Sequence, residues 1–176
     1  MNNIQTPIIG FCAYSGTGKT TLLTRVIPIL AERNLRLAIL KHAHHNFDID
    51  HPEKDSFRLR HAGACQMLIS SARRWALMRE LDKDEPELGL NDLLNKIDHS
   101  CTDLVLVEGF KKEAFNKIEL HRPSLNHPLM CQSDDNIIAV ATDEKVALPA
   151  NLPQLDLNNP GGIADFICRY FDLVTR

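Results

Sequence analysis

Short apolar runs and longer segments with helical spacing of apolar residues follow one another along most of the chain. The runs predict strands over residues 7–12, 36–41, 65–71, 74–79, 103–108, 117–122 and 136–141. The helical spacing predicts helices over residues 19–33, 54–62, 90–99 and 161–174. Because strands and helices alternate, we expect an α/β fold: an open, mainly parallel sheet with helices on both faces. The two consecutive strands within residues 65–79 break this alternation and predict an extra β-hairpin.

Two of the predicted strands differ in how they should be buried. Residues 36–41 contain the apolar run Leu-Ala-Ile-Leu, which is typical of a parallel strand buried on both faces. Residues 117–122 alternate polar and apolar side chains, which predicts a half-exposed edge strand. Such an edge could pair with a second chain, and the predicted hairpin could do the same.

Composition narrows the class of protein. The chain has 176 residues, 44% of them hydrophobic, which suits a single globular domain over residues 1–176. A net charge of −3 leaves no basic surface suited to nucleic acid, and no apolar run approaches the roughly 20 residues of a membrane span. The first seven residues lack a secretion signal, and five cysteines without close pairing suggest reduced thiols, so we expect a cytoplasmic protein.

The segment that carries chemistry is residues 13–20, Ala-Tyr-Ser-Gly-Thr-Gly-Lys-Thr, between the first strand and the first helix. A glycine-bearing loop with Lys-Thr at such a junction is the pattern of a phosphate-binding loop. The pattern asks for glycine where this chain has Ala13, and a plain Gly/Ser/Thr turn that carries a lysine is the alternative.

Each polar group of this phosphate loop has an expected role. Lys19 can reach the β- and γ-phosphates of a nucleoside triphosphate, and the Thr20 hydroxyl can bind Mg²⁺. Backbone amides and hydroxyls would hold the other phosphate oxygens. The expected nucleotide-binding residues are Ser15, Gly16, Thr17, Gly18, Lys19, Thr20 and Thr21.

Carboxylates after two other strands are candidate partners for the metal ion. Glu108 ends an apolar strand and could bind Mg²⁺ through water or polarise the attacking water, so we assign it with Lys19 to catalysis. Asp48 and Asp50 follow the strand at residues 36–41, and we favour Asp50 as a further metal ligand. The alternatives are an exposed strand-end carboxylate for Glu108 and an ordinary surface loop for the two aspartates.

Asp143 follows the strand at residues 136–141 and could recognise a base. A carboxylate there could accept hydrogen bonds from N1 and N2 of guanine, which would favour GTP over ATP because adenine has no such pair of donors. The alternative is that Asp143 simply begins a turn.

Histidines and basic residues near these segments give weaker signals. His42, His44, His45 and His51 match no zinc-binding spacing, so we expect no dedicated transition-metal site. The basic side chains that follow Glu108 or separate the two hairpin strands are expected to be solvated, with contact to an anionic partner as the alternative. These residues are Lys111, Lys112, Arg73 and Arg74.

Together these motifs resemble the molybdopterin-guanine dinucleotide biosynthesis adaptor family (the MobB type). The resemblance rests on the loop at residues 13–21, on His-His-x-x-Asp-x-Asp at residues 44–50, and on Val-Glu-Gly-Phe-Lys at residues 107–111. Ala13 fits the habit of that family, whereas Glu53 stands where a glycine is expected. Tyr14 occupies the place of an additional lysine in related ATPases, so a dimer that exchanges that lysine is not supported.

The resemblance implies a P-loop (Walker A) protein that binds GTP and Mg²⁺ and hydrolyses GTP slowly. It implies a homodimer that shares part of a sheet. It also implies work beside the molybdenum cofactor guanylyltransferase, the enzyme that attaches GMP to molybdopterin, with molybdopterin itself as a further candidate ligand. The alternative function is a small-molecule kinase of the same fold, with Asp48 or Asp50 as its general base.

Overall fold

A computed structural model of the chain describes residues 6–43, 47–82 and 84–173. It divides into two compact units. The first unit combines the described residues up to His42 with those from Leu90 onward, and the second covers Ala43–Gly89. The single domain expected over residues 1–176 stays a prediction.

The order of elements follows the predicted alternation closely. They are β1 (Ile8–Ala13), α1 (Lys19–Glu32), β2 (Leu37–Lys41), α2 (Asp55–His61), β3 (Gln66–Ser70), β4 (Trp75–Arg79), α3 (Leu90–Leu94), β5 (Leu104–Glu108), β6 (Lys117–His121), β7 (Ile137–Thr142), β8 (Gln154–Asp156) and α4 (Pro160–Tyr170). Short 3-10 helices cover His99–Cys101, Pro123–Leu125 and Met130–Gln132. Over the described part of the chain, no helix combines the length and apolar character needed to cross a bilayer.

The first unit is built on a six-stranded sheet in the order β2-β5-β1-β6-β7-β8. Every neighbouring pair is parallel, which confirms the mainly parallel sheet. All these strands therefore point their carboxyl ends to the same edge, where the loop after β1 lies beside the residues that follow β5 and β6. In open α/β sheets that edge is where ligands bind.

Helices cover both faces of this sheet, as predicted. Helices α1 and α4 pack on one face, where Val26, Leu30 and Ile163 belong to the main core cluster. Helix α3 packs on the other face, where its Leu90 and Leu94 join Val105 and Val107 of β5. The intervening β5 residues face the main cluster instead, which is why this strand is apolar throughout.

The prediction of a half-exposed edge strand at residues 117–122 is wrong. Strand β6 lies between β1 and β7, and all five of its residues are buried. Two of its polar side chains, Lys117 and Glu119, have internal partners. Lys117 Nζ donates to the carbonyls of Lys111 and Glu113 at 3.0 and 2.8 Å and lies 2.7 Å from Asp134 Oδ2. Alternation here reflects polar groups that are satisfied inside the protein, not a wet face.

Glu119 is the second buried polar group of β6. Its two carboxylate oxygens accept hydrogen bonds from the backbone N–H groups of Met130 and Cys131, at 2.8 and 2.9 Å. These bonds attach the 3-10 helix at Met130–Gln132 to the sheet and remove any need for Glu119 to reach water.

The prediction that residues 36–41 form a strand buried on both faces is also wrong. Strand β2 pairs with β5 at one end of the sheet order and is therefore an edge strand. Leu40 is buried, but Ile39 keeps 47% of its surface exposed. The apolar run alone does not reveal which strand lies at the edge.

Several element ends differ from the predicted ones. Helix α3 stops at Leu94, and Asp98 then begins a separate 3-10 helix by accepting a hydrogen bond from Ser100 N. Helix α4 begins at Pro160, where Asn159 caps it by accepting from Gly162 N, and it ends at Tyr170. The three-residue strand β8 is not among the predicted elements, because so short a segment carries no clear pattern.

The second unit contains the predicted hairpin. Strands β3 and β4 pair antiparallel with Leu68 opposite Leu77 and Ser70 opposite Trp75, and they form a two-stranded sheet of their own. Helix α2 belongs to the same unit, and its Arg60 pairs with both Asp48 and Glu80. The extra hairpin is thereby confirmed.

Candidate functional site

The loop between β1 and α1 closes on itself at Thr17. Both the backbone N–H and the Oγ1 hydroxyl of Thr17 donate to the carbonyl of Tyr14, at 3.4 and 2.8 Å, and the residue is only 2% exposed. Gly16 and Gly18 have φ of 79° and 97°, a conformation that residues with a Cβ rarely adopt. The two glycines and the Thr17 hydroxyl therefore set the shape of the loop.

Helix α1 begins at Lys19 with an uncapped amino end. Gly18 occupies the N-cap, which has no side-chain cap hydrogen bond, and the first turn contains no acidic residue. The N–H groups of a first helical turn have no acceptor within the helix, and the helix dipole makes that end positive. A loop of this shape before an uncapped helix favours an anion.

Glu108 lies at the tip of β5 beside the loop. Its Oε1 is 3.2 Å from Lys19 Nζ and its Oε2 is 3.6 Å from Lys41 Nζ, and the side chain is 15% exposed. Its backbone carbonyl accepts from His42 N at 2.8 Å, which extends the pairing of β2 with β5. The structure thus brings together the two residues assigned to catalysis.

Gly109 fixes the chain directly after Glu108. It has φ of 106°, and a Cβ at this position would lie 2.7 Å from the Cβ of His42. The His42 ring in turn packs against Phe110, with centroids 4.7 Å apart. A glycine is therefore required for the turn that leaves Glu108 facing Lys19.

The donor groups at this edge suit Mg²⁺. Thr20 is exposed in the first turn of α1, next to Lys19, and Glu108 offers a carboxylate from the neighbouring strand. Hydroxyl and carboxylate oxygens are the ligands that Mg²⁺ takes, usually together with waters and phosphate oxygens. The residues present therefore fit a hydrated Mg²⁺ carried by a nucleotide.

Lys111 contacts the beginning of the phosphate loop. Its Nζ donates to the carbonyl of Ala13 at 2.7 Å and lies 5.9 Å from the centroid of the Tyr14 ring. The same ring also stacks on His127, at 4.3 Å between centroids. Lys111 is exposed, as expected for a solvated lysine, but its contact with Ala13 carries no signal in the sequence.

Asp143 is held by an arginine. Arg122, directly after β6, donates from Nη1 to Asp143 Oδ2 and from Nε to the carbonyl of Thr17 at 2.9 Å. Asp143 Oδ1 is buried and has no hydrogen-bond partner in the described structure. The sequence pattern predicts Asp143 as a site residue but does not identify Arg122. A single arginine after a strand carries no signal that it contacts two other segments.

A cavity of about 160 Å³ adjoins the loop at this point. Its lining residues come from the phosphate loop, from α1, and from the ends of β6 and β8; they are Gly16, Thr17, Gly18, Thr21, Leu22, Arg25, Arg122, Leu157 and Asn158. A space beside the loop and lined by two arginines is suited to the sugar and phosphate end of a nucleotide. Arg25, Leu157 and Asn158 are residues that the sequence did not single out.

A second cavity, of about 550 Å³, lies on the Cys12 side of β1. Lys111, Met130 and Asp134 also line it. Burial, together with the neighbouring Glu119 carboxylate, raises the pKa of the Cys12 thiol to about 12. Cys12 therefore stays protonated near neutral pH and is a poor nucleophile or metal ligand.

The remaining predicted residues belong to the second unit. Asp50 accepts a hydrogen bond from Ser56 Oγ at 3.0 Å, and its assignment as a metal ligand stays a prediction. Hydrogen bonds from Arg60, and from the backbone N–H of Asp50, hold the pKa of Asp48 below its usual range. A carboxylate so paired is a weak general base, which disfavours a kinase mechanism that uses Asp48.

Of the four histidines that the sequence places within residues 42–51, His42 and His51 are described. His42 belongs to the first unit and His51 to the second, while His44 and His45 lie outside the described residues. Within the described ranges, no three side chains of His, Cys, Asp or Glu are grouped as metal ligands.

Comparison with known proteins adds an independent observation. Residues 8–143 match the family model described as "Molybdopterin guanine dinucleotide synthesis protein B". The chain is 47% identical to the molybdopterin-guanine dinucleotide biosynthesis adapter protein of Escherichia coli K12, over 93% of both chains. It is 44% identical to the protein of the same description from Haemophilus influenzae, over 95% of this chain and 90% of the relative.

A solved structure is similar over nearly its whole length. The crystal structure of a molybdopterin-guanine biosynthesis protein B superposes with a TM-score of 0.70 at 30% identity, covering 93% of this chain and 99% of that one.

Proposed function

The chain belongs to the molybdopterin guanine dinucleotide synthesis protein B family, and on that premise we propose that it is a GTP-binding adaptor with slow, Mg²⁺-dependent GTPase activity. The adaptor role in molybdenum cofactor biosynthesis follows from the family model and from relatives of that description that are 44–47% identical. The binding of GTP, the binding of Mg²⁺ and the hydrolysis of GTP are proposed from the geometry of the site.

The observation that carries nucleotide binding is the pairing of Lys19 with Glu108 beside an uncapped helix end. Lys19 extends from the first residue of α1, and its ammonium lies 3.2 Å from the carboxylate that ends β5. A triphosphate would give Lys19 anionic oxygens to bind, while loop amides and the α1 amino end would hold the β-phosphate. Thr20 and Glu108 would hold hydrated Mg²⁺, which supplies charge neutralisation of the phosphates when bound.

The chain's own residues account for slow hydrolysis. Glu108 is the carboxylate available to orient a water for in-line attack on the γ-phosphate. Arg122 binds the Thr17 carbonyl and Asp143, on the opposite side of the loop from Lys41. It is therefore not free to serve as an arginine finger. We expect the isolated protein to turn over below about 1 s⁻¹, since a finger contributes roughly 10³–10⁵ in rate.

Asp143 supports a preference for guanine. Its Oδ1 is a buried acceptor without a donor in the described structure, and it follows a strand that ends at the ligand-binding edge of the sheet. The N1 and N2 groups of guanine are donors of the kind that this oxygen needs, whereas adenine presents an acceptor at the corresponding ring nitrogen.

The hairpin supports a homodimer. A two-stranded hairpin is marginally stable alone, and one face of this one carries Leu68, Leu77 and Trp75, which are 64%, 53% and 70% exposed. Clusters of exposed large apolar residues of this kind mark interaction surfaces. We propose that a second copy of the chain covers this face. The enzyme partner that we propose for the adaptor is the guanylyltransferase of the same biosynthesis, and the location that we propose is the cytoplasm.

Calorimetric titration with GTP, ATP and GDP in the presence of Mg²⁺ tests the nucleotide assignment. We expect GTP to bind more tightly than ATP to the wild-type protein, and Asp143→Ala to bring the two affinities together. Equal affinities in the wild-type protein would contradict the guanine assignment but leave the phosphate site. Absence of binding by any of the three nucleotides would contradict the proposal as a whole.

A further inference from the structure

One guanidinium connects two parts of the proposed nucleotide site. Arg122 follows the central strand β6, which lies between β1 and β7. The phosphate loop follows β1, and Asp143 follows β7, so the residue after β6 has one of them on each side. Arg122 contacts both, through Nε to the Thr17 carbonyl and through Nη1 to Asp143 Oδ2.

The bridge is held firmly at both ends. The side chains of Arg122 and Asp143 are 32% and 21% exposed, so their charge-assisted contact is largely shielded from water. Thr17 is buried and is itself bonded to Tyr14, which fixes the carbonyl that Arg122 contacts. A planar fork of donors can join two acceptors in different directions, which a lysine ammonium on a flexible stem does poorly.

The contact leaves Asp143 with one acceptor for a base. Arg122 binds only Oδ2, and Oδ1 has no partner in the part of the chain that the structure describes. A carboxylate anchored by one oxygen keeps a fixed orientation, so the second oxygen, which is buried and unpartnered here, would accept from a base at low cost in side-chain entropy once the groups that cover it give way. Guanine has donors at N1 and N2, whereas adenine has an acceptor at N1, no group at C2 and its amino donor at the different position N6.

We propose that Arg122 is a positioning residue for guanine recognition, which orients Asp143 toward the base and ties it to the phosphate loop. This inference rests on the proposed function, because it assumes that GTP binds at the loop. Its consequence is that Arg122 sets how strongly the protein prefers GTP over ATP, apart from any general attraction of its charge for phosphates.

The test is the ratio of the ATP to the GTP dissociation constant, measured by calorimetry with Mg²⁺ in the wild-type protein and in Arg122→Gln. We expect the ratio to fall about 10-fold in Arg122→Gln, as for the loss of one hydrogen bond to a charged group. The fall should come mainly from weaker GTP binding, because adenine does not use Asp143. Arg122→Lys keeps the charge without the fork, so the ratio should stay low.

Arg25→Gln is the matched control, since Arg25 lines the same cavity but is not part of the bridge. It should weaken GTP and ATP binding by the same factor and leave the ratio unchanged. In an Asp143→Asn background, Arg122→Gln should lower the ratio no further, because Arg122 acts through Asp143. Thermal unfolding of each variant shows that it is folded, and Arg122→Lys replaces Arg122→Gln in the comparison if the latter is not.

The outcomes separate the two levels of the proposal. Equal losses of GTP and ATP affinity in Arg122→Gln, or full recovery in Arg122→Lys, would overturn the positioning role while GTP binding stands. A wild-type protein that prefers GTP, with the same preference in Arg122→Gln, would overturn it as well. A wild-type protein that binds neither nucleotide would refute the proposed function, and the role of Arg122 with it.

Discussion

The Nζ of Lys19 lies 3.2 Å from the Oε1 of Glu108, so the lysine of the phosphate loop and the carboxylate that ends β5 form an ion pair. The two residues are far apart in sequence, but β1 and β5 are parallel neighbours, with Phe11 opposite Glu108. The ends of both strands therefore deliver opposite charges to one place. Lys41, at the end of β2, approaches the second oxygen of the same carboxylate at 3.6 Å.

Lys19→Ala should remove triphosphate binding while the protein stays folded. The Lys19 side chain is only 20% exposed, and its ammonium is the loop cation placed to reach the β- and γ-phosphates. We expect GTP affinity to fall at least about 100-fold, or about 2.7 kcal/mol, in calorimetry with Mg²⁺. Lys41→Ala is the control, because it removes the other cation beside Glu108 and should cost much less. Comparable losses in the two variants would contradict a special role for Lys19.

Glu108→Gln should remove much of the benefit that Mg²⁺ brings to GTP binding. The amide is nearly the same size as the carboxylate but has no charge for the hydrated metal ion. We expect the ratio of GTP affinities with Mg²⁺ and with EDTA to fall about 10-fold, as for one charge-assisted contact. Affinity in EDTA should hold or rise, because Lys19 is released from its ion pair. An unchanged ratio would exclude Glu108 as a metal partner.

Gly109→Ala should destabilise the first unit through a specific clash. The new methyl group would lie 2.7 Å from His42 Cβ, at a φ of 106° that alanine does not tolerate. We expect a loss of about 3 kcal/mol in the free energy of unfolding, the sum of backbone strain and overpacking. Gly16→Ala is the matched control: it also has a positive φ, but nothing lies within 4 Å of its added Cβ. Gly16→Ala should lower the free energy of unfolding by about 1–2 kcal/mol. Urea denaturation measures both variants, and equal losses would mean that the structure relieves the clash in Gly109→Ala.

The phosphate loop and the parallel sheet could be predicted because their signals are local. A strand, a loop of defined glycine spacing and a helix are contiguous in sequence, and alternation of strands and helices implies parallel pairing. Arg122 and Lys111 could not be predicted, since each acts across the sheet on a loop about 100 residues away. Their contacts depend on strand order, which the sequence pattern does not contain.

The burial of strand β6 could not be predicted from its sequence either. Its alternation of Lys117, Glu119 and His121 with apolar residues is the usual signature of a strand with one wet face. Only the structure reveals that Asp134 pairs with Lys117 and that the backbone N–H groups of a 3-10 helix bind Glu119 inside the protein.

Asp134→Asn should destabilise the protein in a pH-dependent way. Lys117 is 1% exposed, so loss of its carboxylate partner leaves a buried charge with two carbonyls only, at a cost of about 3 kcal/mol. Although burial opposes it, the hydrogen bonds from Lys117 and Asn136 lower the pKa of Asp134. The contribution of Asp134 is therefore complete above the usual aspartate pKa of about 3.9 and is lost as the pH falls through the lower native value.

Urea denaturation at several pH values measures this dependence. The difference in unfolding free energy between the wild-type protein and Asp134→Asn should be constant from about pH 7 to pH 5 and shrink below about pH 4. Asp135→Asn, a neighbouring exposed aspartate at the same cavity, should change stability by less than about 0.5 kcal/mol. A difference that grows on acidification would contradict a native pKa below the usual one.

Leu77→Lys should weaken the proposed dimer without unfolding the chain. Leu77 stands opposite Leu68 in the hairpin, and both side chains are more than half exposed, so a charge at this position costs little in the isolated protein. In a dimer that covers this face, the same charge would be buried against apolar residues without a partner.

Sedimentation equilibrium should show a dimer for the wild-type protein. For Leu77→Lys we expect a dissociation constant at least about 30-fold higher, which corresponds to the loss of one strong interface contact. Leu125→Lys replaces an exposed leucine of the first unit, where no interface is proposed, and should leave the dimer intact. A monomeric wild-type protein, or a dimer that Leu77→Lys does not weaken, would mean that the apolar face of the hairpin serves another partner.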